Sequence, residues 1–328
     1  MKILLVAPAW VGDMVMADCL VQCLARRGDT DIEVLAPPAT AALGERMAGV
    51  SAVHRLEVGH GELGLGRRRA LGRRLAARGF DQAIVLPNTF KSALVPWWAG
   101  IPRRTGWHGE SRFGVLNDRR RLDPERYPLM IERFMALAGE PGAPLPEPFP
   151  VPALRVDADA RAAVVERLGL STEGGVLALC PGAEYGPAKR WPAHHYAAVA
   201  RRAAEQGRQV WLLGSPGERE VCEGIRRLAP AARSLAGETS LLEAVDLLSA
   251  ADVVVCNDSG LMHVAGAVGT RVVAVFGSTS PGFTPPLGQD ARVAQLDLPC
   301  SPCFQRTCPL GHLRCLEELE PQRVMAWL

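Results

Sequence analysis

The chain has 328 residues, 48% of them apolar, with 37 Lys+Arg against 35 Asp+Glu. That length favours two domains, the apolar share excludes a disordered chain, and a net charge of +2 gives no reason to expect nucleic acid as a partner. The first 150 residues hold 20 basic and 16 acidic side chains, so the first half is mildly basic, either as an ordinary solvated face or as one that meets something anionic.

No apolar run approaches the roughly 18–20 residues that span a bilayer. The opening M-K-I-L-L-V-A resembles the start of a signal peptide, but Gly12 and Asp13 interrupt it and no second hydrophobic segment follows closely. Residues 2–7 are therefore expected to form a buried strand. A helix over 14–27 and strands over 32–36 and 82–86 come next. Short apolar strands alternating with helices predict a parallel sheet covered on both faces. Residues 139–152 are a stiff, proline-rich linker. The alternation then restarts, with strands over 176–180, 209–213, 253–256 and 272–276 and helices near 194–206 and 241–249. The pattern predicts an α/β chain of two doubly wound Rossmann-like domains, 1–150 and 151–328, facing each other across a cleft, with the last helix packing back on the first domain. No repeat of solenoid length is present.

In open parallel sheets ligands sit beyond the carboxyl ends of the strands, so the loops after residues 7, 86, 180, 213, 256 and 276 are the ones to search. The run V-V-V-C-N-D-S-G-L-M-H-V-A-G-A (253–267) reads as strand, tight turn and helix start. Asp258 or Ser259 would cap that helix, and the amides of Ser259, Gly260 and Leu261 would form a small positive cup suited to phosphate. Gly260 allows close approach of a ligand. A lone D-S-G is as readily a capped helix without a ligand, and His263 a satisfied, half-buried histidine. The loop P-G-A-E-Y-G-P-A-K-R-W-P (181–192) shifts the balance, because it carries Lys189 to the strand-end face, where its ammonium would neutralise a departing diphosphate. G-S-P-G-E (214–218) places the Glu218 carboxylate where a pair of ribose hydroxyls would bind. Residues 236–243 contain a capping box, Ser240 to Glu243, and the loop before it, with Gly237, would wall a base pocket.

In the first half, P-A-W-V-G-D (8–13) sets Gly12 and Asp13 near a helix N-terminus. A carboxylate there would accept the proton of an attacking hydroxyl; the plain alternative is an aspartate favoured by the helix dipole. Arg67, Arg68, Arg69, Arg73, Arg74 and Arg78 mark a basic helix, either a solvated face or a surface for phosphate or sugar-acid groups. G-H-G-E-L-G (59–64) fits a dinucleotide fingerprint only superficially, since it lies well past the first strand. Asp29-Thr30-Asp31 and Asp157-Ala158-Asp159 resemble metal-binding D-x-D pairs, yet both precede apolar segments, and no metal is expected at the transfer step.

Nine cysteines is an odd number. Cys19, Cys23, Cys180, Cys222 and Cys256 are scattered among apolar residues, which fits reduced core thiols in a cytosolic protein better than a disulfide framework. Cys300-x2-Cys303-x4-Cys308-x6-Cys315, with His312 nearby, has a spacing that a structural zinc ion could use; compact reduced cysteines are the competing reading.

Together these loops resemble the ADP-heptose:lipopolysaccharide heptosyltransferases, glycosyltransferase family 9. The matching stretches are I-L-L-V-A-P-A-W-V-G-D-M-V-M (3–16), residues 181–192, N-D-S-G-L-M-H-V-A (257–265) and C-S-P-C-F-Q-R-T-C-P-L-G-H-L-R-C-L (300–316). The likeness spans nearly the whole chain. Type I members usually have a Ser-rich first loop; P-A-W-V-G-D here points to the type II branch. The resemblance implies a GT-B fold and an inverting, metal-independent transfer of L-glycero-D-manno-heptose from ADP-heptose to the first heptose of the inner core on Kdo2-lipid A. It implies Asp13 as catalytic base, Lys189 beside the diphosphate, Asp258 to Leu261 with His263 as the donor-binding turn, and Glu218, on a looser alignment, as ribose ligand. It also implies work in the cytoplasm, peripheral to the inner face of the inner membrane. The rivals are a type I or other nucleotide-sugar transferase of the same architecture, a nicotinamide-dependent oxidoreductase, which lacks its glycine fingerprint after residue 7, and a non-catalytic nucleotide-sugar binder.

Overall fold

The structure, a computed structural model, describes residues 1–59 and 61–328; His60, inside the G-H-G-E-L-G stretch, lies outside them. The chain divides into two compact units, Met1–Pro152 and Ala153–Leu328.

In the first unit six strands, β1 (Lys2–Val6), β2 (Asp31–Ala36), β3 (Val50–Arg55), β4 (Gln82–Val85), β5 (Arg103–Trp107) and β6 (Asp118–Arg120), form one sheet in the order β3-β2-β1-β4-β5-β6. Every neighbour is parallel. In the second unit β7 (Val176–Cys180), β8 (Gln209–Leu212), β9 (Arg233–Ser234), β10 (Val253–Asn257), β11 (Arg271–Val275) and β12 (Ala291–Ala294) run β12-β11-β10-β7-β8-β9. Read from β9, that is the same order as in the first unit. Both sheets are therefore Rossmann-like and doubly wound. In each, the strand order reverses once, between β1 and β4 and between β7 and β10, and ligands of such sheets bind outside the strand ends at that reversal.

The central strands are buried on both faces, which explains their continuous apolar sequences. K-I-L-L-V, V-L-A-L-C and V-V-V-C-N bury all but the half-exposed Lys2. The short outer strands β3, β5, β6, β9 and β12 were not expected, because charged residues at sheet edges mask the alternation that marks a strand. In β5 and β6 those charges have a local purpose. Arg103 and Arg120 both donate to Asp118 Oδ2, at 3.0 and 2.9 Å, and Thr105 Oγ1 adds a third bond at 2.9 Å.

The helix expected over 14–27 begins earlier, at Val11, and is interrupted at Ala17, giving Val11–Met16 and Asp18–Ala25. The buried Asp18 accepts a bond from Gln22 at 2.7 Å. The proline-rich stretch is tied down at its end, where Cys19 Sγ donates to Pro150 O and Gln22 to Val151 O. The last helix, Pro321–Met325, packs on helix Ala193–Glu205 of its own unit, with Val324 buried and Trp327 and Leu328 against the same core. All nine cysteines are free thiols. Burial pushes the Cys222 thiol up to about 12 and raises Cys19, Cys180 and Cys256 as well, so these are inert core residues. No helix among the described residues is long and apolar enough to cross a membrane.

Both D-x-D pairs serve local structure. Asp157 caps helix Ala158–Arg167 by accepting from the amides of Asp159 and Ala160. Asp31 opens β2, accepts from Ser51 Oγ and pairs with Lys2. Next to it lies a buried charge, Glu33, 1% exposed, which Lys2 (2.8 Å), His54 (2.5 Å) and Arg78 surround. Burial by itself would raise its pKa, but the bonds from Arg78, Lys2 and His54 outweigh burial and hold the carboxyl at about 2. A depressed carboxyl stabilises the fold above its ordinary value of 4.5 and loses that contribution as pH falls towards 2. Glu33→Ala is expected to cost roughly 3 kcal/mol at pH 7. In urea titrations the gap between variant and parent should narrow steadily below pH 4.5; a gap independent of pH would contradict the assignment.

Candidate active site

The two strands that flank the reversal in the second unit end in the loops richest in polar side chains. After β7 comes the segment 181–192, which ends in a 3-10 turn, Pro187–Lys189. After β10 comes the turn into helix Gly260–Ala267. One buried side chain fixes the two against each other. Asn257, fully buried at the end of β10, donates through Nδ2 to Pro181 O (2.7 Å) and accepts at Oδ1 from the Trp191 amide and the Tyr196 hydroxyl, both at 3.0 Å. Trp191 closes the loop as an anchor, 1% exposed, stacked on His195, edge-on to Tyr196, its Nε1 donating to Leu319 O.

That scaffold brings Lys189 to Asp258. Lys189 Nζ donates to Asp258 Oδ2 at 2.6 Å, and Thr279 Oγ1 donates to the same oxygen at 2.6 Å. The side chains are 14% and 5% exposed, so the charges attract in a medium far less screening than water. The ammonium also lies 4.8 Å from the centre of the Tyr185 ring. Neither Asp258 nor Ser259 caps the helix with its side chain, contrary to expectation. Asp258 is held by Lys189 and Thr279 instead, and Ser259 takes the N-cap position with extended backbone. The amides of Gly260 and Leu261 thus have no acceptor inside the helix, and both residues are half-exposed. The cup of amides and the lysine stand together, as an anion site requires.

His263 is buried within the same helix. Burial pushes its imidazole down to about 4, while Asp258 and Lys189 act in opposite directions upon it. Among the described residues, its Nδ1 and the Ser278 Oγ have no hydrogen-bond partner, though both residues are buried.

Glu218 lies at this strand-end face. Its Oε2 accepts from the Ser215 amide at 2.7 Å in a capping box, and a Cβ at Gly182 would sit 1.8 Å from Glu218 Oε1. Gly182 is thus what lets the carboxylate lie against the loop after β7. Gly237 follows β9 and packs on this turn, its amide donating to Gly214 O at 3.0 Å. The predicted box at Ser240 and Glu243 is present, with bonds of 2.7 and 3.3 Å. Sequence reasoning assigned no role to Asn257, Thr279 or Ser278. Thr279 follows β11, one of the strand ends marked for search, and only its position there could have flagged it.

In the first unit, Gly12 and Asp13 occupy the first turn of helix Val11–Met16, directly beyond β1 at the reversal, and both are half-buried. The basic residues form helix Leu65–Ala76. Arg68 is buried in it, donating to Leu63 O (2.7 Å) and Lys91 O (3.3 Å), and so clamps the helix to neighbouring loops. Arg67 is exposed and bonds Glu57 O, with Glu62 at 3.5 Å. Arg73 and Arg74 are exposed in the last turn.

Two outcomes follow from this geometry. Asn257→Ala should destabilise the fold by about 2–4 kcal/mol, because it strands a buried carbonyl, amide and hydroxyl together; thermal or urea unfolding reads this directly. His263 stays neutral in the fold below its ordinary value of 6.5, whereas the unfolded chain takes up the proton. Stability should therefore fall with pH through the window from 6.5 to 4, by about 2 kcal/mol between pH 8 and pH 5. His263→Gln should flatten that slope; an unchanged slope would refute the assignment.

The model of glycosyltransferase family 9 (heptosyltransferase) matches residues 68–314. The chain is 44% identical to lipopolysaccharide heptosyltransferase 2 of Escherichia coli K12, covering 99% of this chain and 97% of that protein. It is 42% identical to lipooligosaccharide heptosyltransferase 2 of Haemophilus influenzae, over 90% and 89%. Among solved structures, that of E. coli ADP-heptose LPS heptosyltransferase II superposes with a TM-score of 0.89 at 43% identity, covering 99% of this chain and 97% of that one. Two Rossmann-like units of one strand order, the GT-B architecture of those relatives, and this extent of identity lead to one conclusion: the chain is a glycosyltransferase and belongs to family 9, the heptosyltransferases.

Proposed function

We propose that this enzyme transfers L-glycero-D-manno-heptose from ADP-heptose to the first heptose of the lipopolysaccharide inner core, with inversion at the anomeric carbon. The observation that carries the donor half is the pairing of Lys189 and Asp258 beside the open amides of Gly260 and Leu261, on the two strands that flank the sheet reversal. A diphosphate fits this arrangement, because its oxygens accept from several fixed donors at once. Glu218, on the turn after β8, is the ribose ligand in this reading, and Gly237 belongs to the wall of the base pocket.

In the transfer step the acceptor oxygen bonds to the anomeric carbon as the bond from that carbon to the β-phosphate oxygen breaks. The electron pair leaves with ADP, and the acceptor's proton passes to Asp13. Lys189 and the amides stabilise the charge growing on the leaving oxygen, which is where fixed donors accelerate a reaction most. Asp258 has a supporting part: it holds the ammonium in place until the diphosphate arrives. The acceptor is anionic and lipid-linked. Arg67, Arg73 and Arg74 suit its phosphate and sugar-acid groups, and Trp10 and Phe90, exposed beyond β1 and β4, suit its less polar surfaces. Such an acceptor places the enzyme in the cytoplasm at the inner face of the inner membrane, held there peripherally.

With a mono-heptosylated acceptor, turnover is expected with ADP-heptose and not with UDP- or GDP-sugars; equal rates would refute the donor assignment. Asp13→Asn should lower kcat by roughly 10²–10⁴ while ADP-heptose binding stays within a few-fold. Lys189→Ala should lower it by roughly 10²–10³. A lost donor affinity in the Asp13 variant would remove it from the role of base.

A further inference from the structure

Four cysteines near the end of the chain take no part in that mechanism. Cys300, Cys303, Cys308 and Cys315 all line one small cavity of about 20 Å³, together with Ala188, Ser278, Pro309, Leu310, His312 and Leu313. The segment has no regular structure from 295 until helix Arg314–Glu317, so apolar packing does little to shape it.

The backbone around these cysteines is bent in a particular way. Phe304, directly after Cys303, has a φ of 55°, and Leu313, two residues before Cys315, a φ of 48°. Neither is glycine, and left-handed backbone at such residues persists where the surroundings over-determine it. Gly311, three residues after Cys308, is also left-handed at 72°. Its loop turns back on Cys308, with Gly311 N donating to Cys308 O at 3.2 Å.

We propose that Cys300, Cys303, Cys308 and Cys315 together bind one Zn²⁺ ion as a tetrathiolate site that holds the donor loops in place. A fourfold all-sulfur set disfavours the hard divalent ions that prefer oxygen and suits zinc, with Zn–S bonds of about 2.3 Å. Among the described residues, the group whose ligand atoms lie mutually within 4.8 Å is His194, His195 and Glu317. The four sulfurs thus stand wider than a bound ion would hold them, and binding draws them inward, as is usual where metal and folding are coupled. The histidine group is a poorer site, because His195 Nε2 is taken by the backbone carbonyl of Glu317 at 3.0 Å and the ring is stacked on Trp191.

The connection to the donor loops is by backbone. Phe304 N donates to Ser278 O (2.6 Å) and Ser301 Oγ to Gly277 O (2.7 Å), which ties the first cysteine pair to the turn carrying Thr279. On the other side, Ala188 N donates to Arg306 O (3.0 Å) and Tyr185 Oη to Phe304 O (2.7 Å). A Cβ at Gly186 would lie 2.4 Å from Arg306 O, so the two segments are in direct backbone contact. The cysteine segment is thus one residue from Lys189 on one side and one residue from Thr279 on the other, and both of those donate to Asp258. This second part of the proposal rests on the donor site described above; the metal itself does not.

The test uses full-length protein without a histidine tag, purified anaerobically with reductant. Elemental analysis should find about one zinc per chain, and a mercurial reagent should release it as the four thiols react. Replacing zinc by Co²⁺ should produce thiolate-to-cobalt charge-transfer bands and the visible bands of a tetrahedral ion. Cys308→Ser should abolish those bands; if it fails to fold, Cys300→Ser takes its place. Cys222→Ser, which alters a core thiol outside the cluster, should keep them. Folded protein that takes up no cobalt with these bands, or a disulfide among the four, would overturn the site. Metal removal should also weaken ADP binding at least fivefold by calorimetry, with recovery on adding Zn²⁺. Stoichiometric zinc with unchanged ADP affinity would overturn the coupling to the donor loops and leave the metal site standing.

Discussion

The second unit depends on the amide of Asn257. A parallel sheet leaves its strand ends to be organised by loops, and here two of those loops must be held in register for any site to exist. One side chain does it from inside, with a donor for Pro181 and an acceptor shared by Trp191 and Tyr196. Because it is fully buried, every one of these bonds replaces a contact with water that is no longer available. Once residues 181 and 191 are fixed, the chain between them has little freedom, and Lys189 has to emerge beside Asp258. The position of a charge at the surface is thus decided by an uncharged group beneath it.

The division of labour along the sheet follows from this. The strand interiors are apolar and interchangeable in kind, and supply cohesion. The polar residues collect at the carboxyl ends of β7, β8, β10 and β11, where Glu218, Lys189, Asp258 and Thr279 lie on four different loops. Within them, roles differ by exposure. Asn257, Trp191 and His263 are buried and set geometry; Ser259, Gly260 and Leu261 are half-open. The first unit repeats the strand order but is loaded differently, with a carboxylate at its own reversal and a basic helix at a distance in sequence.

Much of this was legible in the chain itself. The apolar runs at β1, β7 and β10 gave themselves away because a strand buried on both faces has no polar side to hide it. Lys189, Asp258 and Gly260 were marked by strand ends followed by glycine-rich turns. What was not legible had physical causes. Whether Asp258 caps its helix or pairs with Lys189 depends on a lysine 69 residues away, and no local rule contains that competition. Arg68 looks like its neighbours in sequence, yet helical geometry turns it inward while Arg73 and Arg74 face water. Thr279 carries no motif of its own. Strands β5 and β6 escaped notice because their arginines, paired with Asp118, look like loop residues.

In the proposed donor site the ion pair at 2.6 Å would also act as a filter. A lone, partly buried lysine would attract any passing anion, and chloride or inorganic phosphate is abundant in most compartments. Lys189 already has a carboxylate and a ring beside it, so a newcomer gains only what it adds beyond them. A small monoanion adds little. A ligand with several oxygens, able to reach the helix amides in the same embrace, adds a great deal. With the proposed donor, selectivity for extended anions would therefore start in the resting protein, before any sugar or base is read.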